Sequence, residues 1–126
     1  MRHKIELEYV LNCSLKAIFS RLSTPEGLNE WFADKVDGKK DIFTFTWDKT
    51  ESKAKLSAIK ENRLVRFEWL EMEDINTNYF EFQISVHELT GDLALIITDF
   101  ADSDEREDTI FLWDTQITDL KRLLGL

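Results

Sequence analysis

The 126-residue chain has one cysteine, Cys13, one proline, Pro25, and four glycines. A lone cysteine forms no internal disulfide and builds no cysteine-based zinc cluster. So little proline and glycine leaves no room for a low-complexity linker, and no repeat or shift in composition divides the chain. Basic residues are also short, with 16 Lys and Arg against 25 Asp and Glu, for a formal charge of −9. Phosphate backbones are bound by concentrated positive charge, so nucleic acid is disfavoured as a partner. Long apolar runs are missing: stretches such as Leu93-Ala94-Leu95-Ile96-Ile97 are the longest, far below the ~20 residues that span a bilayer. The opening Met1-Arg2-His3-Lys4 passes into alternating residues without an apolar leader. The expectation is one soluble, reduced, cytoplasmic domain over residues 1–126 with no membrane insertion. Hydrophobic residues at 43% and charged residues at 33% are present in ordinary globular proportion.

The alternation comes first. In His3–Val10, Ile5, Leu7 and Tyr9 fall on one face and Lys4, Glu6 and Glu8 on the other, the period of a strand. Ser14 then caps a predicted helix over Leu15–Leu22, and Thr24 with Pro25 marks a second helix start that carries Leu28, Trp31 and Phe32 on one face. From Asp41 the period returns to two. Phe43, Phe45 and Trp47 alternate with threonines; Ala54, Leu56 and Ala58 form the next set. Val65, Phe67 and Trp69 follow, then Phe80, Phe82, Ile84 and Val86. Leu93–Phe100 is apolar on both faces, which fits a central strand or one covered on its second side, and its register stays open. Ile110, Trp113, Ile117, Leu120 and Leu124 are spaced as one face of a closing helix. Ser103 or Asp104 is its expected cap, and Gly125 its stop.

Strands this close in sequence leave no room for helical crossovers, so the sheet is antiparallel. Its apolar face needs cover, and the closing helix is the one long amphipathic element available. The predicted architecture is α+β: a curved antiparallel sheet wrapped around a long C-terminal helix, with two short helices after the first strand.

The stretch Leu15–Phe32, in which a short helix leads through Thr24-Pro25-Glu26 into a second ending in Trp31-Phe32, resembles the opening of the START-like (SRPBCC) helix-grip superfamily. It is most similar there to the branch containing the activator of the heat-shock chaperone ATPase. Asn62–Trp69 and Trp113 with Leu120 and Leu124 extend the resemblance. The usual glycine-rich turn before the middle strands is replaced by Asp48-Lys49-Thr50-Glu51. The resemblance implies a hydrophobic cavity for a lipid-like or polyketide-like ligand, often without catalysis.

Aromatic side chains on the apolar faces serve equally to fill a core or to line a pocket. The expected pocket lining is Trp31, Phe45, Trp47, Trp69, Phe82, Trp113 and Ile117, with Trp47, Trp69 and Trp113 offering indole N–H groups to a polar end of the ligand. The leading function is non-catalytic binding of a small hydrophobic molecule. Two other classes stand beside it. A co-chaperone-like module would use the acidic surface against a basic partner, or form a homodimer; the resemblance gives it no chaperone-binding domain in these residues. An aromatase/cyclase-type enzyme would need a polar group among the aromatics, for which Tyr79, Thr98 and Asp99 are the candidates. No cofactor and no metal site is expected. His3 and His87, the two imidazoles, lie at surface positions without metal-ligand spacing. Cys13, beside a helix start, is either a small hydrophobe or a thiol of lowered pKa. The acidic run Asp99–Asp108 lacks the glycine and ligand spacing of a calcium loop and reads as a solvated helix approach.

Overall fold

The short polar caps act as the sequence predicts. Ser14 Oγ accepts from the Ala17 amide and starts α1 (Leu15–Ser23), and Thr24 Oγ1 accepts from Gly27 ahead of α2 (Pro25–Asn29). In a computed structural model describing residues 1–126, these helices interrupt a seven-stranded antiparallel sheet. Its strands are β1 (Arg2–Val10), β2 (Lys35–Lys39), β3 (Ile42–Trp47), β4 (Thr50–Lys60), β5 (Leu64–Trp69), β6 (Tyr79–Val86) and β7 (Leu93–Asp102). Helix α3 (Arg106–Leu123) closes the chain.

The sheet order is β1-β7-β6-β5-β4-β3-β2. The chain therefore meanders from β2 to β7, and β7 then pairs with the first strand. This places Leu93–Phe100 in the interior of the sheet and settles its register: Ile5 faces Asp99, Leu7 faces Ile97 and Tyr9 faces Leu95. Residues paired directly across an antiparallel ladder share a face. Leu95, Ile97 and Asp99 thus point to the inner side, and Thr98 and Phe100 to the outer.

Two features depart from the alternation. Strand β2 lies in a stretch with one apolar residue, Val36, and carries too little pattern to read. It is held by pairing with β3 and by the Val36 amide donating to Asn29 Oδ1 at 2.8 Å. In β4 the register shifts between Leu56 and Ala58, and Ala58 stands opposite Arg66 on the outer face. The predicted Ala54-Leu56-Ala58 face is therefore broken by a bulge at Ser57, since one extra residue reverses every following side chain.

The inner face and α3 enclose a core of 21 buried residues, with Phe45, Phe67, Phe80 and Phe82 fully covered. α3 presents Trp113, Ile117 and Leu120 to it, in a helix-grip arrangement. Its start departs from expectation. Glu105 is the N-cap and makes no side-chain capping bond, because Asp102–Glu105 first closes a turn through the Glu105 amide and the Asp102 carbonyl. Its end is a Schellman arrangement: Gly125, at φ 76°, donates to Arg122 O, and Leu126 donates to Lys121 O.

Candidate functional site

The side chains of α3 do not close completely on the sheet. A hollow of about 120 Å³ remains between its first half and the strands. Phe32, following α2, floors it. Trp47 from β3, Trp69 from β5, Phe80 from β6 and Asp99 from β7 form the sheet side; Thr109, Leu112, Trp113 and Gln116 form the helix side. A second recess of about 230 Å³ shares Trp47 and Trp69 with it and runs outward to Lys53, Glu71 and Met72. The two indoles, 6.4 Å apart, are the common wall. Leu112, 54% exposed, stands at the rim.

Phe32 organises this end of the molecule twice. Its ring lies 5.4 Å from Trp47, 5.3 Å from Phe80 and 5.6 Å from Trp113. Its carbonyl accepts from Trp47 Nε1 at 3.0 Å and from buried Gln116 Nε2 at 2.7 Å. One backbone oxygen therefore ties the helical segment, β3 and α3 around the hollow. Burial of the Gln116 amide is tolerated because it has this partner.

Asp99 is the one ionisable side chain of the lining. Its Oδ1 accepts from the Phe100 amide at 2.8 Å and its Oδ2 from Trp113 Nε1 at 2.8 Å. Burial pushes its carboxyl above the ordinary carboxylate range, against the pull of these two donors and of Arg2. Arg2 makes no bond to it; its Nη2 donates to Phe100 O at 2.8 Å.

Of the seven residues expected to line a pocket, Trp47, Trp69 and Trp113 do so. Phe45, Phe82 and Ile117 are sealed in the core behind it. Trp31 packs 6.0 Å from Phe82 and spends its indole N–H on Arg21 O at 2.9 Å. The indole donors of Trp47 and Trp113 are likewise engaged within the chain, which leaves Trp69 to offer one. Of the three polar candidates, Asp99 alone faces inward. Tyr79 lies outside, under the Arg66 guanidinium at 4.2 Å and against Phe100, and Thr98 pairs across the outer face with Glu81. Glu81 is buried there, its Oε1 accepting from both Nε and Nη2 of Arg66, at 2.9 and 2.7 Å.

Phe32, Phe80, Thr109, Leu112 and Gln116 were not expected in the lining. Phe32 carried a signal, its place beside Trp31 on one helical face; Gln116 carried none, because a polar residue one position before Ile117 reads as solvent-facing. Elsewhere, burial pushes the Cys13 thiol up, with Arg21 opposing, so Cys13 is a small half-buried side chain rather than an activated thiol. His87 Nδ1 accepts from the Leu89 and Thr90 amides and orders the β6–β7 turn. The largest concavity, about 600 Å³, lies at the far end around the β4–β5 turn and is open and polar.

The profile of the START-like superfamily domain matches residues 1–126. A solution structure of BfR322 from Bacteroides fragilis is 45% identical, covering 97% of this chain and 90% of that one at a TM-score of 0.67. The Aha1 dimer from Colwellia psychrerythraea is similar in fold at 17% identity, with 97% and 96% covered and a TM-score of 0.79. DynU16, a putative protein of the dynemicin biosynthetic locus, is similar at 9% identity and a TM-score of 0.77, with 97% of this chain and 47% of that one covered. No functionally curated protein matches. No helix of the chain is long and apolar enough to cross a membrane.

Proposed function

Because the chain belongs to the START-like superfamily, we propose that it holds a small hydrophobic molecule, without chemistry upon it, between the sheet and α3. One observation carries this: five aromatic side chains, Phe32, Trp47, Trp69, Phe80 and Trp113, border a hollow beneath the first half of α3, with exposed Leu112 at its rim. Pockets of this kind, apolar with few polar groups, are the usual form of a ligand site. An apolar cavity of roughly 150 Å³ admits benzene. The hollow of about 120 Å³ thus suits one small group of the ligand, and the recess beyond Trp47 and Trp69 suits the remainder. Trp47, Trp69 and Trp113 are the proposed contacts; Trp31, Phe45, Phe82 and Ile117 hold them in place. The driving force is removal of ligand surface from water, about 25 cal/mol per Å² before the entropic cost of association.

Native mass spectrometry of the purified protein, with tryptophan fluorescence titrations using neutral hydrophobes such as hexan-1-ol, tests this. The expected result is a saturable shift in emission, lost in Leu112→Trp, which fills the rim. No saturable response and no co-purified hydrophobe would overturn it.

A protein-partner role, including self-association, draws support from the charge of −9 and from the fold shared with an Aha1 that is a dimer. Sedimentation analysis at low and high salt tests it. A single monomeric species at all concentrations, with no salt-sensitive association to a basic protein, removes it.

A further inference from the structure

Five aromatic rings and one carboxyl group line the same small hollow: Phe32, Trp47, Trp69, Phe80, Trp113 and Asp99. A site for a wholly neutral hydrophobe needs no buried acid, and a site for a fatty acid is ill served by one. We infer that the ligand carries an ammonium group, seated among the aromatic rings and against Asp99, with its apolar tail lying over Trp47 and Trp69 toward Met72. This rests on the hollow being a ligand site and adds the ligand's chemical class.

The geometry supports each part. Aromatic faces carry negative charge density and attract a cation within about 6 Å of the ring centroid, indole most strongly. The five rings share the lining of one small hollow, packed on one another at 5.1 Å for Trp69 and Phe80, 5.4 Å for Phe32 and Trp47, and 5.6 Å for Phe32 and Trp113, so a cation seated in the hollow lies beside several of them. Each Asp99 oxygen accepts a single protein bond. A carboxylate has about four acceptor sites, so capacity remains for a ligand donor or a close cationic contact. No lysine or arginine lines the hollow. Arg2, whose charge acts on Asp99, directs Nη2 to Phe100 O and Nη1 to Met72 Sδ and makes no bond to the carboxylate. Burial destabilises the Asp99 anion more than its two donors and the Arg2 charge restore, and a cation bound in the hollow adds to that compensation. The volume of about 120 Å³ suits a methylated ammonium head, and the adjoining recess takes a short chain. Lastly, a net charge of −9 concentrates cations around the protein.

The test compares three probes of equal chain length on the wild-type protein by tryptophan fluorescence: hexyltrimethylammonium, hexan-1-ol and hexanoate. The ammonium is expected to bind about tenfold more tightly than the alcohol, with hexanoate weakest. Asp99→Asn is expected to remove that preference while the alcohol still binds. Should Asp99→Asn not fold, Trp69→Leu takes its place and is expected to weaken the ammonium more than the alcohol. Equal affinity for ammonium and alcohol, or stronger hexanoate, overturns the inference and leaves the hydrophobe-binding proposal standing. A preference that survives these substitutions assigns the cation to the acidic surface and also overturns it. No response to any of the three overturns both.

Discussion

The indole N–H of Trp113 on α3 donates to Oδ2 of Asp99 on β7 at 2.8 Å, joining helix and sheet across the edge of the hollow. Around this bond the sheet and the helix stand apart far enough to leave space. Trp113→Phe keeps the ring and deletes the donor, leaving a largely buried carboxylate oxygen short of a partner. The expected loss is about 1–3 kcal/mol by urea unfolding at neutral pH. The loss shrinks in acid, where a protonated Asp99 no longer needs the donor. A change below the measurement error would remove this bond from the forces holding α3.

Asp99 also sets a pH dependence. Its folded-state pKa lies above the ordinary 3.8, so in the window just above that value the folded protein binds more protons than the unfolded chain. Its contribution is fully favourable below the unfolded pKa and is lost as pH rises through the folded one. The urea midpoint of Asp99→Asn relative to wild type is expected to rise across this window toward neutrality. A pH-independent difference would show that Asp99 titrates normally.

Tyr9 on β1 donates to Asp114 Oδ1 at 2.5 Å, a second clasp between the sheet and α3. Its burial, the bond and the Asp114 charge all push the phenol above its usual value of 10.0. The folded state therefore keeps this proton after the unfolded chain has lost it, and stability falls with rising pH in alkali. Tyr9→Phe is expected to cost about 1 kcal/mol at neutral pH and to flatten that alkaline decline. Ultraviolet titration of the phenolate in the folded protein gives an independent check.

Gly27 is the contact between α1 and α2. A Cβ there would stand 2.1 Å from Ser20 O and 2.5 Å from Arg21 Cα, backbone atoms that cannot turn aside. Gly27→Ala is expected to cost about 3 kcal/mol in thermal or urea unfolding. Since α2 leads directly to Phe32, probe binding should weaken as well. A stable Ala variant with intact binding would show that the helices separate freely.

The β3–β4 hairpin turns at Asp48 and Lys49, at φ 44° and 76°. Both lie in the left-handed region that two-residue hairpin turns demand and that glycine enters without strain. The glycine missing from the sequence at this turn is therefore a local cost rather than a different turn. Lys49→Gly is expected to raise stability by about 1 kcal/mol with an unchanged urea slope.

The fold was legible because its signals are local. Ser14 and Thr24 cap the helices that follow them, and the alternation in Phe43–Trp47 and Val65–Trp69 returns as buried inner faces in β3 and β5. Strand β2 was not legible, since Val36 alone gives no period. The bulge at Ser57 was not either, because it arises from the pairing of β4 with β5 rather than from either strand.

By itself, the order of residues determined which segments extend, which coil, and which faces are oily, for these follow from backbone sterics and side-chain spacing. The tertiary structure alone decided that Asp99 turns inward while Thr98 turns out, since that depends on β7 being clamped in register between β1 and β6. It alone decided that Phe45, Phe82 and Ile117 pack shut while Trp47, Trp69 and Trp113 border a space. A void is the difference between volumes brought together from distant parts of the chain, and no local pattern encodes a difference of that kind.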